Sequence, residues 1–157
     1  MHETRNDMNK DARKKVCDIL NVHLASLSDL TMQTKQAHWN VKGKEFIALH
    51  GLFDAVYLAI TPFVDEVAER CIALGGTALG TLQSAIKGTL LKTYPTDITV
   101  GDDHIAALSK ALAAYGKMAR EAIDQTDKLG DKDTADLFTG ISREIDKQLW
   151  MVEAHEQ

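Results

Sequence analysis

The sequence predicts an all-α fold, a four-helix bundle with a short extra helix in one long crossover. Three observations carry this expectation. Helix formers are plentiful and breakers scarce, with only 2 Pro and 10 Gly in 157 residues. Apolar side chains recur at three- and four-residue steps through four long segments. Those segments fall into two hairpins joined by a stretch too long for a plain turn. The length suits one domain, and 45% hydrophobic with 26% charged residues is enough apolar material to bury a core.

The first helix is expected from about Asp11 to His38, where Val16, Leu20, Leu27, Leu30, Thr34 and Ala37 mark one face. Residues 1–10 read as a flexible tail ahead of a folded domain spanning 11–157. Asn40-Val41-Lys42-Gly43 supplies turn residues. Beyond it Phe46, Leu49, Phe53, Val56, Ile60, Phe63, Val67, Cys71 and Leu74 form an unbroken stripe, predicting a second long helix that ends at Gly75-Gly76. Pro62 lies inside it without a hydrogen to donate, so a local kink is expected. The segment from Gly75 to about Gly101 reads as a crossover carrying a short helix near Thr81–Ile86. Thr99-Val100-Gly101-Asp102 has the look of a capping box opening the third helix, in which Ile105, Leu108, Leu112, Tyr115 and Ala119 recur as far as Leu129-Gly130. The fourth helix is expected from Asp131–Asp133 through Ala135, Phe138, Ile141, Ile145, Leu149 and Val152. Asp131, Asp133 and Asp136 in its first turns suit the positive end of the helix dipole.

Several classes are disfavoured. A formal charge of −5 gives no global attraction for polyanions. The longest uncharged stretch, Cys71 to Ile86, is broken by glycines and hydroxyl residues and falls short of the roughly 20 apolar residues that span a bilayer. The first seven residues lead into charges rather than an apolar run, so the expected location is the cytoplasm. Cys17 and Cys71 form no Cys-x-x-Cys pair and read as buried small apolar residues.

The second helix carries four metal-competent side chains in two i,i+4 pairs, His50 with Asp54 and Asp65 with Glu69. At about 100° per residue all four fall within an arc of about 100° beside the apolar stripe. The pairs are separated by roughly 22 Å along the axis, at about 1.5 Å per residue, which one chain cannot close. A single site using all four therefore requires His50 and Asp54 of one subunit to face Asp65 and Glu69 of an antiparallel second subunit, giving two equivalent sites per dimer. The mixed imidazole and carboxylate set suits iron, manganese or zinc. His38, at the end of the first helix beside Trp39, is placed to supply a third ligand from the His50 side. The competing reading is a solvated helix face or a plain subunit interface. No Glu-x-x-His occurs, which disfavours an intramolecular di-iron site. His23 falls on the first helix's apolar face and reads as a hydrogen-bonded interior residue, while His2, His104 and His155 fit no ligand spacing.

Lys35-Gln36-Ala37-His38-Trp39-Asn40, His50-x-x-x-Asp54 and Asp65-x-x-x-Glu69-Arg70 resemble the Dps family of ferritin-like proteins. Further likenesses lie in Leu74-Gly75-Gly76-Thr77-Ala78-Leu79-Gly80-Thr81, Tyr94-Pro95-Thr96-Asp97-Ile98, Thr134-Ala135-Asp136 and Ser142-Arg143-Glu144-Ile145-Asp146-Lys147-Gln148-Leu149-Trp150. The likeness runs from about Leu20 to Glu153. It implies a ferritin-like four-helix subunit in a hollow homododecamer that oxidises Fe(II), preferentially with hydrogen peroxide rather than oxygen, and stores the Fe(III). Carried over residue by residue, it implies two irons per intersubunit site, held by His38, His50 and Asp54 of one subunit and Asp65 and Glu69 of the next. Trp39 would donate an electron to a stray oxidant, or merely pack. Asp131, Asp133 and Asp136 resemble the family's acidic threefold pore, with Asp131 and Asp136 the candidates, although helix capping is a simpler role. Many Dps proteins hold DNA through a lysine-rich tail. Here residues 1–15 hold five cations against three carboxylates, so DNA contact and nucleoid association are expected to be weak and salt-sensitive. A DNA-compacting structural protein is the alternative function.

Overall fold

The computed structural model describes residues 1–156 and contains five helices: α1 Lys10–Asn40, α2 Phe46–Ala73, α3 Leu82–Gly88, α4 Gly101–Lys128 and α5 Lys132–Glu153. α1 packs along α2 and α4 along α5; the hairpins join through α1 against α4 and α2 against α5. The short α3 rides on α1 within the crossover, as expected.

The predicted stripes are the core. Val16, Leu20, Leu27 and Leu30 of α1, Phe53, Val56 and Ile60 of α2, Leu108, Leu112 and Tyr115 of α4, and Phe138, Ile141 and Ile145 of α5 have no exposed surface. Phe46 is the exception, exposed at the start of α2. α1 opens on Asn9, whose side chain accepts from the Asp11 and Ala12 amides. α2 and α4 end where Gly75 and Gly130 take φ of +82°, a conformation that costs glycine nothing. α2 runs through Pro62 without interruption. The carbonyl that Pro62 leaves without a partner is that of Leu58, on a turn exposed to solvent.

The expected capping box at Thr99 is not formed. The N-cap of α4 is Val100, with no side-chain cap, and the Thr99 carbonyl accepts from the Lys42 amide at 2.9 Å. The returning crossover pairs with the α1–α2 turn through a parallel bridge between Lys42 and Val100. Side chains of α1 hold the rest of the crossover. Asn21 bonds the Thr77 carbonyl and the Leu79 amide, Asp29 accepts from the Thr89 hydroxyl, and Gln33 donates to the Lys92 carbonyl.

Residues 1–9 run back against the end of α2. The His2 amide donates to the Gly75 carbonyl at 2.6 Å, and buried Arg13 donates to the carbonyls of Leu74 and Met8. Both cysteines are buried, as expected. They also meet, since Cys17 Sγ lies 3.6 Å from the Cys71 carbonyl and an atom added at Gly76 would stand 2.6 and 2.7 Å from the two sulfurs. Burial pushes the Cys71 thiol up to about 12.

α2 is long and apolar enough to cross a membrane by length and composition alone, and much of its apolar surface points out of the chain. Ile47, Leu58 and Ile72 are all more than half exposed. An apolar face of this extent on a helix carrying Asp54, Asp65 and Glu69 calls for a protein partner.

Candidate metal centre

His38 and His50 sit at the junction of α1 and α2 and tie the two helices together reciprocally. His38 Nδ1 lies 2.8 Å from the His50 carbonyl and His50 Nδ1 lies 2.8 Å from the His38 carbonyl. A carbonyl only accepts, so each Nδ1 carries a ring hydrogen and donates it across the helix pair, and each Nε2 lies outside this clasp. The rings stack with centroids 3.7 Å apart at 23°, and Phe46 covers the His50 side at 5.0 Å. The orientation of both imidazoles is thus set by backbone acceptors.

Asp54 lies one turn beyond His50. Its Oδ1 accepts from Lys35 Nζ at 2.5 Å. Lys35 lies one turn before His38 on α1, and its ammonium also stands 4.6 Å from the centre of the Tyr57 ring. The hydrogen bond and charge of Lys35 hold the Asp54 carboxyl below its ordinary range. Sequence reasoning assigned Lys35 no role at the site, although its spacing of three from His38 puts it on the same helix face.

Asp65 and Glu69 are exposed, beyond Pro62 toward the other end of α2. Among the described residues no three His, Cys, Asp or Glu side chains form a group able to hold a metal ion. The pairs His50/Asp54 and Asp65/Glu69 therefore lie at separate places on one helix, both beside apolar surface that the chain does not cover. Trp39 is 60% exposed next to His38.

The acidic residues of α5 divide. Asp131 is only 2% exposed; it caps α5 by accepting from the Thr134 amide and hydroxyl, and it accepts from Arg70 Nη2 at 2.7 Å. Its carboxylate serves as the helix cap and as the partner of Arg70. Asp133 and Asp136 are exposed. His23 is interior, its Nδ1 3.1 Å from Tyr115 Oη, and burial lowers its pKa to about 4.

A bundle of two helical hairpins joined by one long crossover is the ferritin-like arrangement, and a ferritin-like domain model matches residues 17–157. The DNA protection during starvation protein of Agrobacterium fabrum is 49% identical, covering 99% of this chain and 96% of that one. The protein of that name from Listeria innocua is 32% identical over 87% of this chain and 88% of its own. Among solved structures, Mycobacterium smegmatis Dps superimposes with a TM-score of 0.93 at 30% identity, covering 98% of this chain and 93% of that one. Vibrio cholerae Dps, described as a member of a broad superfamily of ferritin-like diiron-carboxylate proteins, gives 0.92 at 27% identity, covering 100% and 98%. The chain belongs to the Dps family.

Proposed function

We propose that the protein is a ferroxidase and iron-storage cage: it oxidises Fe(II), preferentially with hydrogen peroxide, and stores the Fe(III) as a mineral, protecting DNA and the cell from oxidative damage. The observation that carries this reading is the stacked His38–His50 pair with both Nδ1 atoms tied to backbone carbonyls, which keeps each Nε2 out of that clasp, with Asp54 one turn further along α2. The second half-site, Asp65 and Glu69, comes from the neighbouring subunit across the exposed apolar face of α2, and a homododecamer repeats this arrangement at each twofold axis. His38, His50 and Asp54 of one subunit and Asp65 and Glu69 of the next hold two Fe(II) ions as substrate. Asp54 is released to iron as the incoming cation displaces Lys35. Hydrogen peroxide takes one electron from each of two Fe(II) ions and, with two protons, becomes two waters, so no hydroxyl radical is released. The carboxylates favour the higher charge of the product.

Trp39 supplies an electron when a stray oxidant forms beside His38. Asp136, exposed near the start of α5, concentrates iron at an acidic entry pore. The work is placed in the cytoplasm.

The reading is tested by anaerobic Fe(II) titration of the assembled protein, followed by peroxide and then oxygen, with and without the substitutions His50→Ala and Asp54→Ala together. Saturable binding and fast oxidation by peroxide, both lost in the double variant while assembly persists, support it. Absence of saturable binding in the native chain overturns it. DNA contact is the weaker activity: with Arg13 buried against Leu74 and Met8, four cations remain against three carboxylates in residues 1–15. Gel retardation at physiological salt is the measurement that would raise DNA compaction above it.

A further inference from the structure

Two histidines outside the iron half-sites are each hydrogen-bonded to a tyrosine, and one of these pairs is built for more than packing. Tyr94, in the crossover, and His104, in the first turn of α4, are 8% and 1% exposed, with Tyr94 Oη 2.7 Å from His104 Nδ1. The phenol hydrogen finds no other acceptor among the described residues, so it points at Nδ1 and the ring hydrogen sits on Nε2. Nε2 is buried with no hydrogen-bond partner, an arrangement proteins rarely leave in place without a reason. Burial holds this imidazole neutral and lowers its pKa, against the opposing pull of Asp103 and of the backbone at Asn40 and Ile98, which favour the charged form. Burial also raises the Tyr94 phenol well above its ordinary value. At rest both partners are neutral.

We propose that Tyr94 and His104 form a proton-coupled redox pair that drains one-electron oxidants from the neighbourhood of the iron site. The inference rests on the ferroxidase reading, because the oxidant it names is the hydroxyl radical formed when peroxide meets a single Fe(II). Tyr94 gives one electron to the oxidant, reducing hydroxyl radical to hydroxide, and its phenol proton crosses to His104 Nδ1. The products are a neutral phenoxyl radical and an imidazolium, the latter favoured by Asp103 and by the backbone at Asn40 and Ile98; the imidazolium proton, passed to solvent, converts the hydroxide to water. A solution reductant supplying one electron and one proton restores the phenol.

Location supports the assignment. Asn40 is two residues beyond His38, and the His104 ring lies 6.3 Å from that of Phe53, the residue before Asp54. On its other side Tyr94 lines two surface clefts of about 480 and 600 Å³, giving small reductants an approach to the radical. The second pair lacks this exit. Tyr115 has no exposed surface, its contact with His23 is longer at 3.1 Å, and it lines neither cleft.

Two arms of one experiment test the pair on the assembled protein. In the first, one Fe(II) per site is mixed with hydrogen peroxide, freeze-quenched and examined by electron paramagnetic resonance, with ferric absorbance followed in the same samples. A neutral tyrosyl radical is expected in the native chain and in Tyr115→Phe, and its loss in Tyr94→Phe. His104→Gln, which keeps a hydrogen-bond acceptor but no basic nitrogen, is expected to suppress the radical while preserving the fold by circular dichroism, an effect that a packing role would not produce. In the second arm, iron-free protein is oxidised by a photogenerated ruthenium(III) polypyridyl complex, and phenoxyl formation is expected to slow in deuterium oxide and to vanish in Tyr94→Phe. Equal radical yields in native and Tyr94→Phe protein, or a yield indifferent to His104→Gln, overturn the proposal. Failure of iron oxidation in the first arm overturns the ferroxidase reading instead, and the second arm then still decides whether Tyr94 and His104 are a redox pair.

Discussion

Replacing Asp131 separates a structural knot from an iron pore. Its carboxylate makes three contacts: Arg70 Nη2 at 2.7 Å, the Thr134 amide at 3.0 Å and the Thr134 hydroxyl at 2.5 Å. In Asp131→Ala the lost N-cap costs about 1 kcal/mol. Stranding a fully buried ion-pair partner costs roughly 3–5 kcal/mol. Arg70 keeps 19% of its side-chain surface and a second carboxylate, Asp133, at 3.8 Å, so the expected share here is smaller, about 1–2 kcal/mol. The total of roughly 2–3 kcal/mol corresponds to a fall in Tm of about 5–10 °C for a chain of this length. Asp131→Asn keeps an oxygen for the Thr134 amide and is expected to lose only the ion-pair share. Differential scanning calorimetry at fixed subunit concentration reads both variants. Arg70→Ala added to Asp131→Ala should cost little more, because the two residues act as one unit. A Tm of Asp131→Ala within a degree of the native value, with iron uptake slowed instead, would refute this reasoning and return Asp131 to the pore.

Three further expectations follow from particular contacts. Lys35→Met frees Asp54 from the ammonium that competes with iron, so anaerobic Fe(II) titration near neutral pH should show tighter binding; because Lys35 also holds the Asp54 carboxyl below its ordinary range, the acid limit of Fe(II) binding should move to higher pH in this variant. Gly76→Ala places a methyl 2.6 and 2.7 Å from the sulfurs of Cys17 and Cys71 and should destabilise by about 1–3 kcal/mol in thermal melts, with partial rescue on adding Cys71→Ala. His23 stays neutral in the folded chain down to about pH 4, whereas the unfolded chain takes up its proton near the ordinary 6.5. Its contribution is therefore intact above that value and lost as pH falls toward 4, about 3 kcal/mol in all, and His23→Gln should flatten this part of the stability–pH curve measured by urea unfolding.

The sequence by itself determined the elements. Each helix declares its core face by a period of 3.6 residues, a local property, and the structure buries Val16, Leu20, Phe53, Leu112 and Phe138 where that period puts them. The i,i+4 pairs His50/Asp54 and Asp65/Glu69 were equally legible, as was their separation along α2, since axial rise alone decides that. What period and rise leave open is the azimuth and register of one helix against another, and only the tertiary structure decided those. Thr99 and Asp102 match a capping box, yet α4 takes Val100 as its N-cap, next to a bridge between residues 42 and 100. Asp131 reads equally as a cap or a pore carboxylate until Arg70, 61 residues earlier, is seen to bond it. Lys35 on Asp54, the mutual clasp of His38 and His50, and the meeting of Cys17 with Cys71 all join different helices. Such contacts depend on how side chains interdigitate when the hairpins close, a constraint that packing imposes and that no spacing along a single helix encodes.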